Sequence, residues 1–372
     1  MINLLDICKI GGSAVKEFDG KKKYIATGDV NDNSIVTYEM VEFSNKPSRA
    51  NIEIKKDDVL FAKMINTEKV LMSDDKKTEN IYSTGFYCIT PNENVLQKYL
   101  YFLFKSKSFN VQKNRNCSGA TQKAINNEGL KKIKVKNLPD IDEQKNIVHS
   151  LSILEKLINI KKTEIEEMEQ IVKSQFVEMF GELSNSKYPT VKLKSIAEVG
   201  SSHRVFTTEF VEKGIPFYRG TEIGLLANGE TPKECYYISK EHYSKICDDS
   251  TKPKVGDLLL PSICNKGQVW MVDTTDPFYY KDGRVLSISP KEGKINNKYF
   301  HQFMKYKTER EYSKLGSGST FAEFKIFILK DFDVILPPIE LQNQFADIVK
   351  QIDKQKFSNM NILELLVKIV VL

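Results

Sequence analysis

Six arginines are the residues of this chain best suited to reading a nucleic-acid base, because a guanidinium group can donate two parallel hydrogen bonds to guanine. Two of them adjoin glycine, as an arginine in a loop would: Arg219 precedes Gly220, and Arg284 follows Gly283. We therefore predict Arg219 and Arg284 as base-reading residues. A surface or ion-paired arginine is the alternative for each.

Other polar residues of the same regions could contact phosphate groups, which position a protein on a duplex without reading its sequence. Lysine side chains would pair with phosphate oxygens, whereas hydroxyl groups in a glycine-punctuated segment would donate to phosphate or only form a turn. With one further arginine, the additional candidates for DNA contact are Lys63, Arg115, Thr121, Lys123, Lys266, Ser317 and Thr320.

The motifs of DNA-modifying enzymes are incomplete in this sequence. An amino-group methyltransferase needs an Asp/Asn-Pro-Pro-aromatic loop, and Asp276-Pro277-Phe278 lacks one proline. Gly316-Ser317-Gly318 lacks the third glycine and the strand–helix context of a cofactor loop. Asp140 and Glu143 fit a helix cap better than a nuclease site. Because the four histidines are isolated and the six cysteines scattered, we predict no catalytic centre, no metal site and no cofactor.

Positive charge is concentrated in two parts of the chain. Residues 141–182 carry five lysines and nine acidic residues, and residues 339–372 carry four of each sign. Since the whole chain has a net charge of +6, the remaining residues hold +10. This excess fits a polyanionic partner for those regions.

Neither end of the sequence indicates a membrane protein. The N-terminal residues lack a basic region ahead of a long apolar stretch, so we expect no signal peptide. The most apolar segment, residues 362–372, is too short to span a bilayer. We therefore expect a cytoplasmic protein without membrane contact.

The second half of the chain repeats the first at an offset of 190–200 residues. Residues 56–60 match residues 255–259, where an aspartate precedes two apolar residues, and Ser118–Thr121 matches Ser317–Thr320. A Leu-Pro pair also leads to a glutamine in both halves, at residues 138–144 and 336–342. Matches in the same order indicate an internal duplication.

Each copy ends in a long helix-forming segment. Apolar residues after Pro139 alternate in spacings of four and three, which is typical of a coiled-coil seam, and the same register recurs 198 residues later. Lys161, Lys356 and Asn359 interrupt the seam with polar side chains. The predicted seam residues are Ile147, Leu151, Leu154, Ile158, Ile165, Met168, Phe345, Val349, Ile352, Leu363 and Leu366.

We predict an α+β protein with two mixed α/β modules, related by pseudo-twofold symmetry and separated by two long antiparallel coiled-coil helices. The predicted parts are residues 1–140 and 183–338 for the modules, residues 141–182 for a central helix, and residues 339–372 for a distal helix. About 40 helical residues would form a rod of roughly 60 Å. Such a rod would set the distance between two DNA contacts.

The segments Leu138–Val148 (Leu-Pro-Asp-Ile-Asp-Glu-Gln-Lys-Asn-Ile-Val) and Leu336–Gln342 (Leu-Pro-Pro-Ile-Glu-Leu-Gln) resemble the conserved boundary of type I restriction–modification specificity subunits. There, a Leu-Pro-Pro-rich turn and a glutamine-bearing helix start follow each target-recognition domain. The resemblance covers nearly the whole chain. It implies that each module reads one half of a bipartite double-stranded DNA site, while the helices set the spacer and dock two methyltransferase subunits, through which restriction/translocase subunits join.

Two other classes of protein stay open at this stage. One is an enzyme that cuts or methylates DNA itself, and the other is a coiled-coil scaffold that never touches DNA. The distal helix also departs from the family, because residues 363–372 are apolar on nearly every face. Such a helix must be buried on several sides, so we expect that a partner covers it or that the chain is altered at its end.

Overall fold

The computed structural model describes residues 1–31, 33–315 and 322–371. Two units account for them: residues Met1–Glu164 with Asn359–Leu372, and residues Ile165–Ser358. Strands and helices mix in both units, and one part of each of the two longest helices belongs to each unit. Within the described chain, no helix combines the length and the apolarity needed to cross a membrane.

The first unit contains short strands and three helices ahead of the first long helix. Its strands are β1 (Ile2–Asn3), β2 (Cys8–Ile10), β3 (Lys22–Ile25), β4 (Val30–Asn31), β5 (Ser34–Ile35), β6 (Glu39–Val41), β7 (Ala50–Ile52), β8 (Val59–Ala62), β9 (Val70–Met72), β10 (Ile81–Ser83), β11 (Phe86–Pro91), β12 (Cys117–Ser118), β13 (Ala124–Ile125) and β14 (Lys134–Val135). The helices are α1 (Gln97–Lys105), α2 (Lys107–Arg115), α3 (Asn127–Lys131) and the first part of α4 (Ile141–Phe180).

The second unit continues from α4. Its strands are β15 (Gly181–Glu182), β16 (Asn185–Ser186), β17 (Thr190–Lys192), β18 (Ala197–Gly200), β19 (Phe210–Val211), β20 (Ile215–Tyr218), β21 (Tyr236–Ile238), β22 (Leu258–Pro261), β23 (Trp270–Met271), β24 (Tyr279–Tyr280), β25 (Val285–Pro290) and β26 (Asp333–Ile335). Its helices are α5 (Leu193–Ile196), α6 (Gly220–Ala227), α7 (Lys240–Ile246), α8 (Asn297–Tyr312), α9 (Ile326–Lys330) and the first part of α10 (Ile339–Val371).

The duplication in the sequence is a duplication of sheet topology. The antiparallel sheet of the first unit has the order β2-β11-β8-β9, and its counterpart is β18-β25-β22-β23. Each unit has a second four-stranded sheet with one parallel pair, β3 with β10 and β20 with β24. A two-stranded sheet pairs the start of each unit with its later part, β1 with β14 and β17 with β26.

The matched segments 56–60 and 255–259 form the same turn in both units. Asp57 and Gly256 have positive φ angles of 72° and 94°. The following carboxylates accept hydrogen bonds from backbone amides three residues earlier, Asp58 from Lys55 at 2.7 Å and Asp257 from Lys254 at 2.8 Å. This turn leads the chain into β8 and β22, which are short apolar runs buried on both faces.

Buried aromatic side chains join helices to a strand in the first unit and helices to one another in the second. In the first unit, Phe61 of β8 packs against Phe104 of α1 and Phe109 of α2, with ring centroids 4.9 and 5.1 Å apart. In the second unit, Phe180 of α4 lies 4.9 Å from Tyr299 of α8 and 5.4 Å from Phe345 of α10. Truncating such a buried ring to alanine costs about 3–5 kcal/mol.

The long helices run antiparallel where they meet inside the second unit. Glu169 of α4 forms an ion pair with Lys356 of α10, and Phe176, two turns further along α4, contacts Phe345, three turns earlier on α10. Two further seam residues of α10 belong to the same core: Val349 is buried in it, and Ile352 packs against it. Ile165 and Met168 are half-buried.

The helix segments of the first unit meet through a polar cluster. The Lys161 ammonium donates to Asn359 Oδ1 at 3.2 Å and to Glu164 Oε2 at 2.8 Å, and Asn359 Nδ2 donates to the same carboxylate oxygen at 3.1 Å. Asn359 is only 9% exposed. The polar interruptions of the seam are therefore satisfied by one another. The remaining seam residues of this unit, all half-buried, are Ile147, Leu151, Leu154, Ile158, Leu363 and Leu366.

Candidate nucleic-acid interface

In the first unit, the ends of β3 and β8 and the start of β11 meet at one edge. The Lys63 amide donates to the Gly85 carbonyl at 2.9 Å. A Cβ on Gly85 would lie 3.1 Å from Thr27 Cγ2, so the turn after β3 packs directly against the turn before β11. We call residues 26–28, 63 and 84–85 the first edge.

The second unit has the same edge at the ends of β20 and β22 and the start of β25. The Ser262 amide donates to the Arg284 carbonyl at 2.9 Å. A Cβ on Gly220 would lie 3.2 Å from Pro261 Cβ and 3.6 Å from the Arg284 carbonyl oxygen. We call residues 219–220, 261–262 and 283–284 the second edge. The structure thus brings the two predicted base readers, Arg219 and Arg284, to one place.

A third chain segment crosses each edge in the same way. In the first unit, the Ile125 amide donates to the Lys63 carbonyl at 3.0 Å. In the second, the Phe324 amide donates to the Ser262 carbonyl at 2.8 Å. The backbone framework at the two edges is therefore built by equivalent hydrogen bonds.

A carboxylate caps the turn after the first strand at both edges. The Ala26 amide donates to Asp29 Oδ2, and the Arg219 amide donates to Glu222 Oε2, each at 2.8 Å. The sequence positions of Ala26 and Arg219 are thus equivalent, although only the second carries a long cationic side chain.

The edges share a backbone and differ in the side chains it presents. Where one unit carries a cationic side chain, the equivalent position of the other unit carries a small or uncharged one. The equivalent pairs are Lys63 and Ser262, Gly85 and Arg284, and Ala26 and Arg219.

Lys63 is half-buried beside an aromatic ring. Its ammonium nitrogen lies 4.4 Å from the centroid of Tyr87, and burial lowers the pKa of Lys63. The same side chain lines an open depression with Tyr87, Ile125, Asn126, Asn127 and Glu128. A partly desolvated ammonium pairs with phosphate at a lower cost of dehydration.

The other candidates of the first unit lie on elements that meet the loop after β8. Thr121 and Lys123 are exposed in the hairpin between β12 and β13, and the Ile65 amide donates to the Lys123 carbonyl at 3.0 Å. Arg115 is exposed at the end of α2, next to Asn114, whose amide donates to Asn66 Oδ1 at 3.1 Å.

Sequence reasoning missed a buried lysine that shapes this loop. Lys113 is 1% exposed, and its ammonium donates to the Ala62 carbonyl at 3.5 Å and to the Thr67 carbonyl. Burial lowers the pKa of Lys113. The sequence held a sign of this burial, because Lys113 follows core residue Phe109 by one helical turn and so lies on the same face of α2. Exposed Arg49 also adjoins the first edge, because its carbonyl accepts a hydrogen bond from the Thr84 amide at 2.8 Å.

Both arginines of the second edge form ion pairs. Arg219 contacts Glu222 through two nitrogens and lies over Tyr236. Arg284 is exposed and forms an ion pair with Glu323, which also binds Lys325 at 2.8 Å.

The remaining candidates of the second unit are not part of this edge. Lys266 lies in the exposed loop after β22 and lines a cavity with Glu169, Lys305 and Lys356. Ser317 and Thr320 lie outside the described residues. Among residues 1–31, 33–315 and 322–371, no group of three or more His, Cys, Asp or Glu side chains is arranged to hold a metal ion.

Comparison with known proteins relates this architecture to DNA specificity. A family model for the type I restriction modification DNA specificity domain matches residues 1–170 and 185–366. The MjaX type I restriction enzyme specificity subunit of Methanocaldococcus jannaschii is 26% identical over 80% of this chain and 71% of its own length. The MjaVIII specificity subunit of the same organism is 23% identical over 91% of this chain and 80% of its own.

One solved structure has the same fold. That structure comes from work on the structural basis of complex assembly and conformational transition of the type I R-M system. It matches with a TM-score of 0.56 at 18% identity, covering 99% of this chain and 94% of that chain.

Proposed function

This chain belongs to the type I restriction modification DNA specificity family, and on that premise we propose how it recognises DNA. The chain is the specificity subunit of a type I restriction–modification system. Residues 1–140 and 183–338 act as its two target-recognition domains, and each contacts one half of a bipartite double-stranded site.

The proposal depends mainly on one observation: the two edges have the same backbone hydrogen bonds, but equivalent positions carry different side chains. Sequence readout depends on which donors and acceptors reach the base edges, whereas the framework only positions them. Two equivalent frameworks with different side chains would therefore bind DNA in the same manner and select different half-sites. The proposed contacts are Lys63, Arg115, Thr121 and Lys123, with Arg49, in the first domain, and Arg219, Lys266, Arg284, Ser317 and Thr320 in the second.

The helices, residues 141–182 and 339–372, would set the unread spacer between the half-sites. Their predicted seam is supported by buried Phe345 and Val349 and by the Lys161–Glu164–Asn359 cluster. A polar cluster inside an apolar seam favours one helix register, because a shift would leave its charged members against apolar side chains.

The helices would also dock two methyltransferase subunits, through which restriction/translocase subunits join. Ile153, Leu157 and Ile160 of α4 are 47%, 39% and 41% exposed and follow the four–three spacing of a second seam. An exposed apolar row of this kind fits a partner helix. We assign methyl transfer and DNA cleavage to those subunits, so this chain would act in the cytoplasm without a catalytic centre, a metal ion or a cofactor.

Genome-wide methylation tests the proposal in cells that carry this gene and its partner genes. Deleting the gene should abolish one bipartite methylated motif. Lys63→Ala with Lys123→Ala should weaken methylation of all copies of that motif, whereas Arg219→Ala with Arg284→Ala should alter one half-site only. Unchanged methylation after deletion, with the partner genes expressed, would contradict a specificity role. Methylation by this chain without partners would identify an enzyme instead.

A further inference from the structure

Arg219 is held rigidly by two different contacts. Its Nε donates to Glu222 Oε2 at 3.1 Å and its Nη2 donates to Glu222 Oε1 at 2.6 Å. Its guanidinium carbon lies 4.7 Å from the centroid of the Tyr236 ring. Tyr236 in turn stacks on Phe210, with centroids 4.6 Å apart and ring planes at 12°. The plane of the guanidinium is therefore fixed by a carboxylate on one side and an aromatic stack beneath it.

The contact with Glu222 uses only one edge of the guanidinium. Two of its five N–H groups point to the carboxylate, and the other three, on Nη1 and Nη2, have no partner among the described residues. The side chain is 40% exposed, whereas that of Glu222 is 4% exposed. The outer edge of Arg219 is thus presented to solvent at the second edge.

The nature of the partner follows from charge and geometry. Burial by itself would raise the pKa of Glu222, but hydrogen bonds from Arg219 outweigh it and hold that pKa below its usual range. The carboxylate stays ionised and offsets much of the positive charge of Arg219, which weakens attraction to a phosphate. The directional pair of donors on the outer edge is retained, and this pair matches O6 and N7 of guanine.

We propose that Arg219, buttressed by Glu222 and stacked on Tyr236, reads one guanine in the half-site of the second target-recognition domain. This inference rests on the proposed function and adds the base that the site selects. Little side-chain entropy is lost on contact, because the guanidinium is already ordered in the free protein. The first edge holds Ala26 at the equivalent position, so the other half-site has no counterpart of this contact.

Methylation sequencing of cells that express the full complex tests the assignment. Arg219→Ala should turn one guanine of one half-site into a degenerate position, with discrimination against other bases falling roughly 5- to 150-fold. Arg219→Lys, which keeps the charge and the backbone cap, should reduce discrimination at the same position by less than Arg219→Ala does, since an ammonium can donate to guanine but lacks the rigid planar pair of N–H groups. Arg310→Ala, which removes an arginine from α8 outside the second edge, should leave the motif unchanged.

Glu222→Gln separates base reading from a structural role. The amide oxygen can still cap Arg219, so the domain should fold, while the unbalanced guanidinium should bind non-specific DNA more tightly and with a steeper salt dependence. The guanine assignment is overturned if Arg219→Ala methylates only the wild-type motif, or if it weakens methylation of all copies of the motif equally, which would indicate a phosphate contact. A wild-type complex that methylates no bipartite motif would refute the proposed function itself.

Discussion

Gln144 and Gln342 form the same clasp at the starts of the two long helices. Gln144 Oε1 accepts from the Leu96 amide at 2.9 Å, and its Nε2 donates to the Pro139 carbonyl at 2.9 Å. Gln342 Oε1 accepts from the Asn296 amide at 2.9 Å, and its Nε2 donates to the Pro337 carbonyl at 2.8 Å. Both side chains are buried. Each clasp ties a long helix to the residue that caps the start of another helix, Leu96 of α1 in the first unit and Asn296 of α8 in the second.

Replacing either glutamine with alanine should loosen the domain that contains it. The substitution leaves a buried amide and a buried carbonyl without partners, which costs about 1–3 kcal/mol in free energy of unfolding. Hydrogen exchange should rise at the Leu96 amide in Gln144→Ala and at the Asn296 amide in Gln342→Ala. Gln344→Ala, at an exposed position of α10, is the matched control. Equal exchange in variant and control would refute the role of the clasp.

Lys123→Ala should weaken DNA binding without changing the sequence that is recognised. Lys123 is exposed in the β12–β13 hairpin, and a phosphate contact there contributes through release of counterions. We expect the slope of log affinity against log salt to fall by about one. The measurement is a salt titration of DNA binding by the complex, with the exposed Lys156→Ala of α4 as control. If the slope of log affinity against log salt stayed the same, Lys123 would not contact a phosphate group.

Asn359→Leu should destabilise the helix pair although it makes the seam more apolar. The leucine would leave Lys161 and Glu164 beside an apolar side chain, and Asn359 now donates to Glu164 at 3.1 Å. A loss of about 1–3 kcal/mol is expected. Thermal unfolding is the measurement, with the exposed Asn361→Leu as control. A second substitution, Lys161→Met, should recover part of the loss, and a stabilised single variant would contradict the argument.

The second unit should lose stability as the pH falls from about 6.5 to 4. Burial lowers the pKa of His301 to about 4, and its Nε2 lies 2.8 Å from the Val269 carbonyl oxygen, which the neutral ring can contact as a donor. The unfolded state binds the proton first, so stability is full above pH 6.5 and decreases as acid is added, by up to roughly 3 kcal/mol. His301→Gln should flatten this dependence in melting curves between pH 7 and 4. If the melting temperatures of the variant and the unchanged chain fell equally with pH, protonation of His301 would not be the cause.

The sequence determined the duplication, the helices and their register, because these depend on local patterns. Pro139 and Pro337 mark where a helix can begin, and the alternating four–three spacing places Phe345 and Val349 on one face whatever the rest of the chain does. The polar interruptions Lys161 and Asn359 were also visible in this pattern. Their mutual hydrogen bond was not, since it joins residues 198 positions apart.

Which polar residues share a surface depends on how the strands and helices pack, and the sequence pattern does not show it. Arg219 and Arg284 are far apart in sequence and lie at one edge because β20 and β22 end there and β25 begins there. Lys266 also follows β22, but it lines a cavity with residues of α8 and the long helices. The pairing of Arg219 with Glu222 has helical spacing, but its rigidity comes from Tyr236 on a neighbouring strand. Periodicity in the sequence determines on which face of a helix or strand a residue lies. Strand pairing and packing determine which other residues that face contacts.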